Sequence, residues 1–209
     1  MKNTVIIAAM VSAFVAIPAA QAVNVTDQTT VTWGVSAKKT STASLAVVAG
    51  NDGEVEFDFD PVTNKFGTEE SFIDVTIGGD GSSSAFKLVA TLGNKILTHD
   101  DGANVSTLTV GMLYNLYDAT TPTAGSTFTL LNSTDPQSVL RDAMKHLINS
   151  TTNPRYKRNA KSNGTDILFF RIESGTANGT AVPNLYNLPN GNWSGDVTVN
   201  FTATWTVPV

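Results

Sequence analysis

The side chains suited to acid–base or metal chemistry are few and scattered. Histidine occurs only at His99 and His146. His99 falls in Thr98-His99-Asp100-Asp101-Gly102, which reads as a solvated turn, and His146 falls in a helix candidate, so neither brings the further ligands that a metal centre needs. Asp52, Glu54, Glu56, Asp58 and Asp60 form a row of carboxylates, but they alternate with Val55, Phe57 and Phe59. That alternation describes the outward face of a half-buried strand, and the row lacks the glycine-punctuated oxygen ligands of a calcium loop. Arg155, Lys157, Arg158 and Lys161, with Tyr156 among them, make a basic stretch that reads as an exposed loop. Its functional alternative is a contact with an anionic glycan or a neighbouring subunit. The sequence has no cysteine, which excludes thiol catalysis, thiolate metal sites and disulfides. No nucleophile elbow, phosphate-binding loop or paired-histidine helix is present. The chemistry therefore points away from an enzyme, and no cofactor is expected. The formal charge of −5 argues against a nucleic-acid partner, which would need a basic stripe.

The function must then lie in the elements themselves. Residues 1–22 carry Lys2, an apolar run from Val5 to Ile17, Pro18 and the small-x-small site Ala20-Gln21-Ala22, the pattern of a secretory signal peptide. The apolar run is shorter than the roughly 20 residues that span a bilayer. The remainder is long enough for one domain with a sizeable core.

Most of that remainder reads as short strands separated by Gly, Asn and Ser turns. Residues 44–49, 55–59, 72–77, 85–92, 106–114, 126–131, 166–172 and 196–207 are the candidates. One segment departs from this pattern. Asp135-Pro136 resembles a helix start, and Val139, Leu140, Ala143, Met144, Leu147 and Ile148 recur at helical spacing, which predicts a short amphipathic helix over residues 136–149. The sum is an all-β chain, an immunoglobulin-like β-sandwich with one short helix.

Two strands stand apart. Residues 23–37 place Val23, Val25, Asp27, Thr29, Val31, Trp33, Val35 and Ala37 on one face, and they begin where the signal peptide ends, with no preceding strand and no tight turn to a partner. Residues 197–207 place Val197, Val199, Phe201, Ala203, Trp205 and Val207 on one face, and no later strand covers their open edge. Unpaired strand edges recruit other strands. The pattern predicts that the amino-terminal strand of one molecule completes the incomplete sandwich of the next, head to tail, in an open filament. Gly34 would let the inserted backbone lie close to its neighbours. The alternative is that residues 23–37 fold into their own domain as the first strand of an ordinary sandwich.

Thr32-Trp33 and Ala37-Lys38-Lys39, then Phe72-Ile73-Asp74-Val75, Gly79-Asp80 and Ala85-Phe86-Lys87-Leu88, then Ser174-Gly175-Thr176 and Asn178-Gly179-Thr180, and finally Trp193-Ser194-Gly195-Asp196-Val197 and Ala203-Thr204-Trp205-Thr206 occur in this order. In order and spacing they resemble the common-pilus major pilins of the Escherichia coli type, alternate-class chaperone-usher fimbrial subunits. The resemblance implies a fimbrial subunit of the cell surface, acting in adhesion and biofilm formation and exported through the periplasm. Residues 23–37 would be the donor extension, residues 38–209 the pilin domain, and residues 197–207 the border of the acceptor groove. The implied partners are further copies of the chain, a periplasmic chaperone, an outer-membrane usher and a tip adhesin, with a host-cell receptor left open. The match is poor over residues 97–166. Two other classes fit the composition: a secreted β-sandwich lectin using surface aromatics such as Tyr114, Tyr117 or Tyr156, and a pilus-tip adhesin.

Overall fold

The computed structural model describes residues 22–32, 43–79, 81–102, 104–114, 127–139, 141–149 and 153–208. Among them the chain forms β1 (Ala22–Thr32), β2 (Ser44–Ala49), β3 (Phe59–Asp60), β4 (Lys65–Phe66), β5 (Thr68–Gly78), β6 (Ala85–Leu92), β7 (Ile96–Asp100), β8 (Val105–Leu113), β9 (Thr127–Asn132), β10 (Lys161–Ala177), β11 (Thr180–Val182) and β12 (Thr198–Pro208). One sheet has the order β1-β12-β6-β9 and the other β2-β5-β10-β8-β7, with β11 on β10 and a two-residue pairing of β3 with β4. Every pairing is antiparallel.

Period-two alternation selects the inner faces. Ile73, Val75 and Ile77 of β5, Phe86, Leu88 and Ala90 of β6, Leu108, Val110 and Met112 of β8, and Val199, Phe201, Ala203 and Trp205 of β12 are buried in one cluster drawn from both sheets. This is the aligned sandwich expected of two sheets each apolar on one side. At the turn from Gly78 to Ala85 the two sheets meet. Ser84 N donates to Thr206 O (2.6 Å) and the Tyr156 hydroxyl donates to Ser84 O (3.4 Å). We call this end the upper pole. The lower pole holds the other end of β12, where Gly93 N donates to Thr198 O (2.8 Å).

The sequence expectations over residues 136–149 and at His99 need correction. Residues 136–149 form no α-helix. They make single 3-10 turns at Pro136–Ser138 and Lys145–Leu147, with extended backbone at Val139 between them. Asp135 supplies no side-chain cap, and a helix this short has little stability of its own. The apolar residues are buried all the same: Val139, Met144, Leu147 and Ile148 pack inward from an irregular segment, while Ala143 is exposed and Leu140 lies outside the described residues. The second correction concerns His99, which sits in β7 across from Ser106, not in a turn. The turn follows two residues later, where Gly102 has φ +83° and its N–H donates to Asp100 Oδ1 (2.7 Å).

Candidate functional site

The inward residues of β12 are its most buried. Val199, Phe201, Ala203 and Trp205 are all 0 % exposed, while Thr198, Asn200, Thr202, Thr204 and Thr206 between them are half-exposed. β12 has two hydrogen-bonding edges. β6 occupies one, from Val199 across from Leu92 to Thr206 across from Ala85. β1 of the same chain occupies the other along its whole length, from Ala22 across from Pro208 to Thr32 across from Thr198, which is the arrangement given above as the alternative, a first strand folded into its own domain. In this register Val23 lies across from Val207, Val25 from Trp205 and Val31 from Val199. Thr29, across from Phe201, is buried, whereas Thr26 and Gln28 are exposed, so the odd-numbered face of β1 is the inner one. Trp33, Gly34 and Val35 lie outside the described residues. Val197 precedes β12, has no partner in β1 among the described residues, and lines a cleft at the lower pole. Val207 is in β12 but only half-buried.

The upper end of this face is closed by aromatics. The Phe86 ring lies 5.0 Å from Trp205 and stacks on Tyr156 at 5.8 Å and 18°. Tyr156 thus anchors the basic stretch, which is not a plain exposed loop. Pro154 and Tyr156 are buried, Lys157 and Arg158 are half-buried, and Arg155 and Lys161 are exposed. Gly79 meets this turn backbone to backbone: its N–H donates to Arg158 O (2.9 Å), and a Cβ there would sit 2.1 Å from Tyr156 O. Only glycine fits so close an approach.

Tyr114 is also buried, at 1 % exposure, and its hydroxyl donates to Asp166 Oδ2 (2.7 Å). Asp166 Oδ1 accepts from Arg141 Nε (2.7 Å) and from Ile167 N–H (2.8 Å). This buried trio had no signal in the sequence, because its members are 25 and 52 residues apart. Tyr114 and Tyr156 therefore cannot form the surface sugar platform of a lectin, and Tyr117 lies outside the described residues.

Burial, then the negative charge of Asp166 and the hydrogen bond to it, hold the Tyr114 hydroxyl protonated well above its ordinary value of 10.0. Above about pH 10 the unfolded chain releases this proton and the folded chain keeps it. The group's contribution to stability is therefore complete below about pH 10 and falls by about 1.4 kcal/mol per pH unit above it. Urea unfolding between pH 9 and 11 should show that slope, and Tyr114→Phe should remove this part of it.

The carboxylate row keeps its exposure pattern: Glu54, Glu56, Asp58 and Asp60 are exposed and Val55, Phe57 and Phe59 half-buried. It is not the predicted strand, since only Phe59–Asp60 pairs, with β4. His99 Nδ1 lies 3.0 Å from Asn192 O and its ring 5.3 Å from Trp193, while His146 Nε2 lies 3.0 Å from Asn163 O. Both imidazoles are thus engaged with neighbouring backbone.

Among the described residues the site is one strand laid on another. Comparisons with known proteins give the family. The family profile Fimbrillin MatB matches residues 26–205. The common pilus major fimbrillin subunit EcpA of Klebsiella pneumoniae subsp. pneumoniae is 36% identical over 207 residues, covering 99% of this chain and 100% of that protein. The same subunit of Escherichia coli K12 is 37% identical over 207 residues with the same coverage. The chain therefore belongs to the MatB fimbrillin family: it is a structural subunit of a cell-surface fimbria and not an enzyme.

Proposed function

We propose that this chain is the counterpart of the Escherichia coli common-pilus major pilin, and that it polymerises by donor-strand exchange. Residues 23–37 of one mature subunit fill the edge of β12 in the next. A periplasmic chaperone holds that edge before an outer-membrane usher hands it to the incoming strand, and a tip adhesin ends the fibre. The Val25, Val31, Trp33 and Val35 side chains face inward from the donor. Val199, Phe201, Ala203 and Trp205 form the wall they meet.

The observation that carries this reading is the direction of β1. It starts beside Pro208 at the upper pole and ends beside Thr198 at the lower one. β2 also starts at the upper pole, with Ser44 across from Gly78. The two strands run the same way, and same-direction neighbours need a long return connection. Within one chain, residues 33–43 must climb back from Thr198 to the level of Thr206, about 26 Å at 3.3 Å per residue. Fully extended they reach roughly 36–40 Å, enough for that return but with most of the segment drawn out. Between two chains the same residues need no return and simply bridge one domain to the next. The contact itself is long enough to last: on the order of ten main-chain hydrogen bonds contribute a net of about 0.5–1.5 kcal/mol each, beside the apolar face they align.

The test compares the mature chain with a form lacking residues 23–37. Exchange predicts SDS-resistant ladders from the first and none from the second, and a synthetic peptide of residues 23–37 should raise the melting temperature of the second. Two monomers with similar melting temperatures would end this reading.

A further inference from the structure

Two groups of like charge lie at opposite poles, although exposed Lys65 stands across from Asp60 beside the acidic group. At the upper pole the turn pinned by Tyr156 and Gly79 carries exposed Arg155 and half-buried Lys157 and Arg158. None of them makes an ion pair with a described residue. At the lower pole Glu54, Glu56 and Asp58 lie along one rim of a cleft of about 1260 Å³, with Leu97, Leu108 and Phe170 among its lining residues. These carboxylates are exposed and likewise without an ion pair among the described residues.

We propose that the basic turn of one copy seats on the acidic rim and cleft of the next, an axial contact beside the strand link. The inference rests on the strand-exchange reading. A donor strand laid on β12 runs from the acceptor's upper pole to its lower pole and leaves there. The donor chain then enters its own domain at Ser44, on its own upper pole. Residues 33–43 tether those two poles within roughly 36–40 Å of each other. The acidic pole of the acceptor is thus brought to face the basic pole of the donor, and the occupant is a second copy of this chain. The turn is already fixed by its buried tyrosine, so little ordering is lost when it docks. Opposite charges arranged this way act mainly by steering encounter and fixing orientation.

The test follows the appearance of SDS-resistant species from the purified mature chain at about 20 mM and about 500 mM salt, where screening shrinks to a few ångströms. Three variants are compared: Glu54→Lys with Glu56→Lys and Asp58→Lys; Arg155→Glu with Lys157→Glu and Arg158→Glu; and all six together. The acidic-rim variant alters only exposed positions, so folding is not at risk there. Steering of this kind predicts a wild-type rate about tenfold or more faster at low salt. Each single-pole reversal should slow assembly about tenfold at low salt and reverse the salt response, and the sixfold variant should recover to within about threefold of wild type. A single-pole reversal with the wild-type rate and salt response would overturn the contact, as would a folded sixfold variant no faster than the singles. Ladders that form in every variant, at whatever rate, leave strand exchange intact. If the wild type forms none, strand exchange fails and this contact falls with it.

Discussion

Replacing Thr29 with Asp is expected to cost a peptide of residues 23–37 about 30- to 1000-fold in affinity for the domain that lacks them, whereas Asp at position 28 should leave affinity nearly unchanged. The two positions are neighbours on one strand, so backbone propensity and net charge change alike and only the face differs. Thr29 is 5 % exposed and lies across from Phe201, which is fully buried. Gln28 is exposed and lies across from the half-exposed Thr202. Asp27 of the same face already lies across from Ala203, so the penalty belongs to the buried position 29: a carboxylate there must shed water without gaining a cation, or take up a proton, and for so short a side chain the cost is about 2–4 kcal/mol. At about 1.4 kcal/mol per tenfold, that is the stated range. Asp at an exposed strand position should stay within about 0.5 kcal/mol. Titration calorimetry with the two peptides separates the outcomes. Equal losses would mean that β1 does not present its odd-numbered face, and the assignment of Val25 and Val31 as inward donors would go with it.

Strand pattern was readable from the sequence where the information is local. β2 and β6 have the bounds that alternation predicts, and β12 is shifted by two residues at its start and one at its end. In each case apolar residues repeat every second position, a repeat that a strand satisfies. The same signal misled over residues 55–59. Alternation there records one half-buried side, but a strand also needs a partner for its backbone, and only Phe59–Asp60 finds one. β7 failed in the opposite direction. Its polar His99 and Asp100 read as turn, yet Thr107 and Ser106 across from Thr98 and His99 supply the ladder. Helical spacing over residues 136–149 was a true record of burial and a false record of backbone, since Val139, Met144, Leu147 and Ile148 reach the core from two isolated turns.

The interaction surface divides in the same way. The four inward residues of β12 lie on one strand and are visible as a pattern; their opposite numbers in β1 follow from a second local pattern. Tyr156 was hidden because its neighbours in sequence are Arg155 and Lys157, while its neighbour in space is Phe86. The segregation of charge between poles was also out of reach. The acidic row and the basic stretch are each plain in the sequence, but which end of the sandwich each occupies depends on the direction of β2 and β5 and on where the 79–84 connection turns.

The largest loss in the domain itself is expected at Asp166, a residue that no local pattern marks. Its carboxylate holds Arg141 from the irregular segment, Tyr114 from the end of β8, and the N–H of Ile167 in β10. Asp166→Ala leaves a mostly buried guanidinium without its counter-charge and a buried hydroxyl without its acceptor. Breaking one side of such a pair costs about 3–5 kcal/mol. For a domain of this size that is a fall in melting temperature of about 6–20 °C. Tyr114→Phe should cost less, about 1–2 kcal/mol, because the carboxylate keeps its other two partners. The two losses should not add, since without Asp166 the hydroxyl is already orphaned; the shortfall in the double variant measures their coupling, of about 0.5–3 kcal/mol. Replacing all three with apolar residues of similar size should restore much of the stability, since it removes the buried charges together with their partners. None of these changes touches β1 or β12, so strand exchange predicts ladders from Asp166→Ala at temperatures where the domain is folded. A loss below about 1 kcal/mol on Asp166→Ala would show that water reaches the carboxylate, and the trio would then be a surface contact rather than the clasp that fixes the irregular segment to β10.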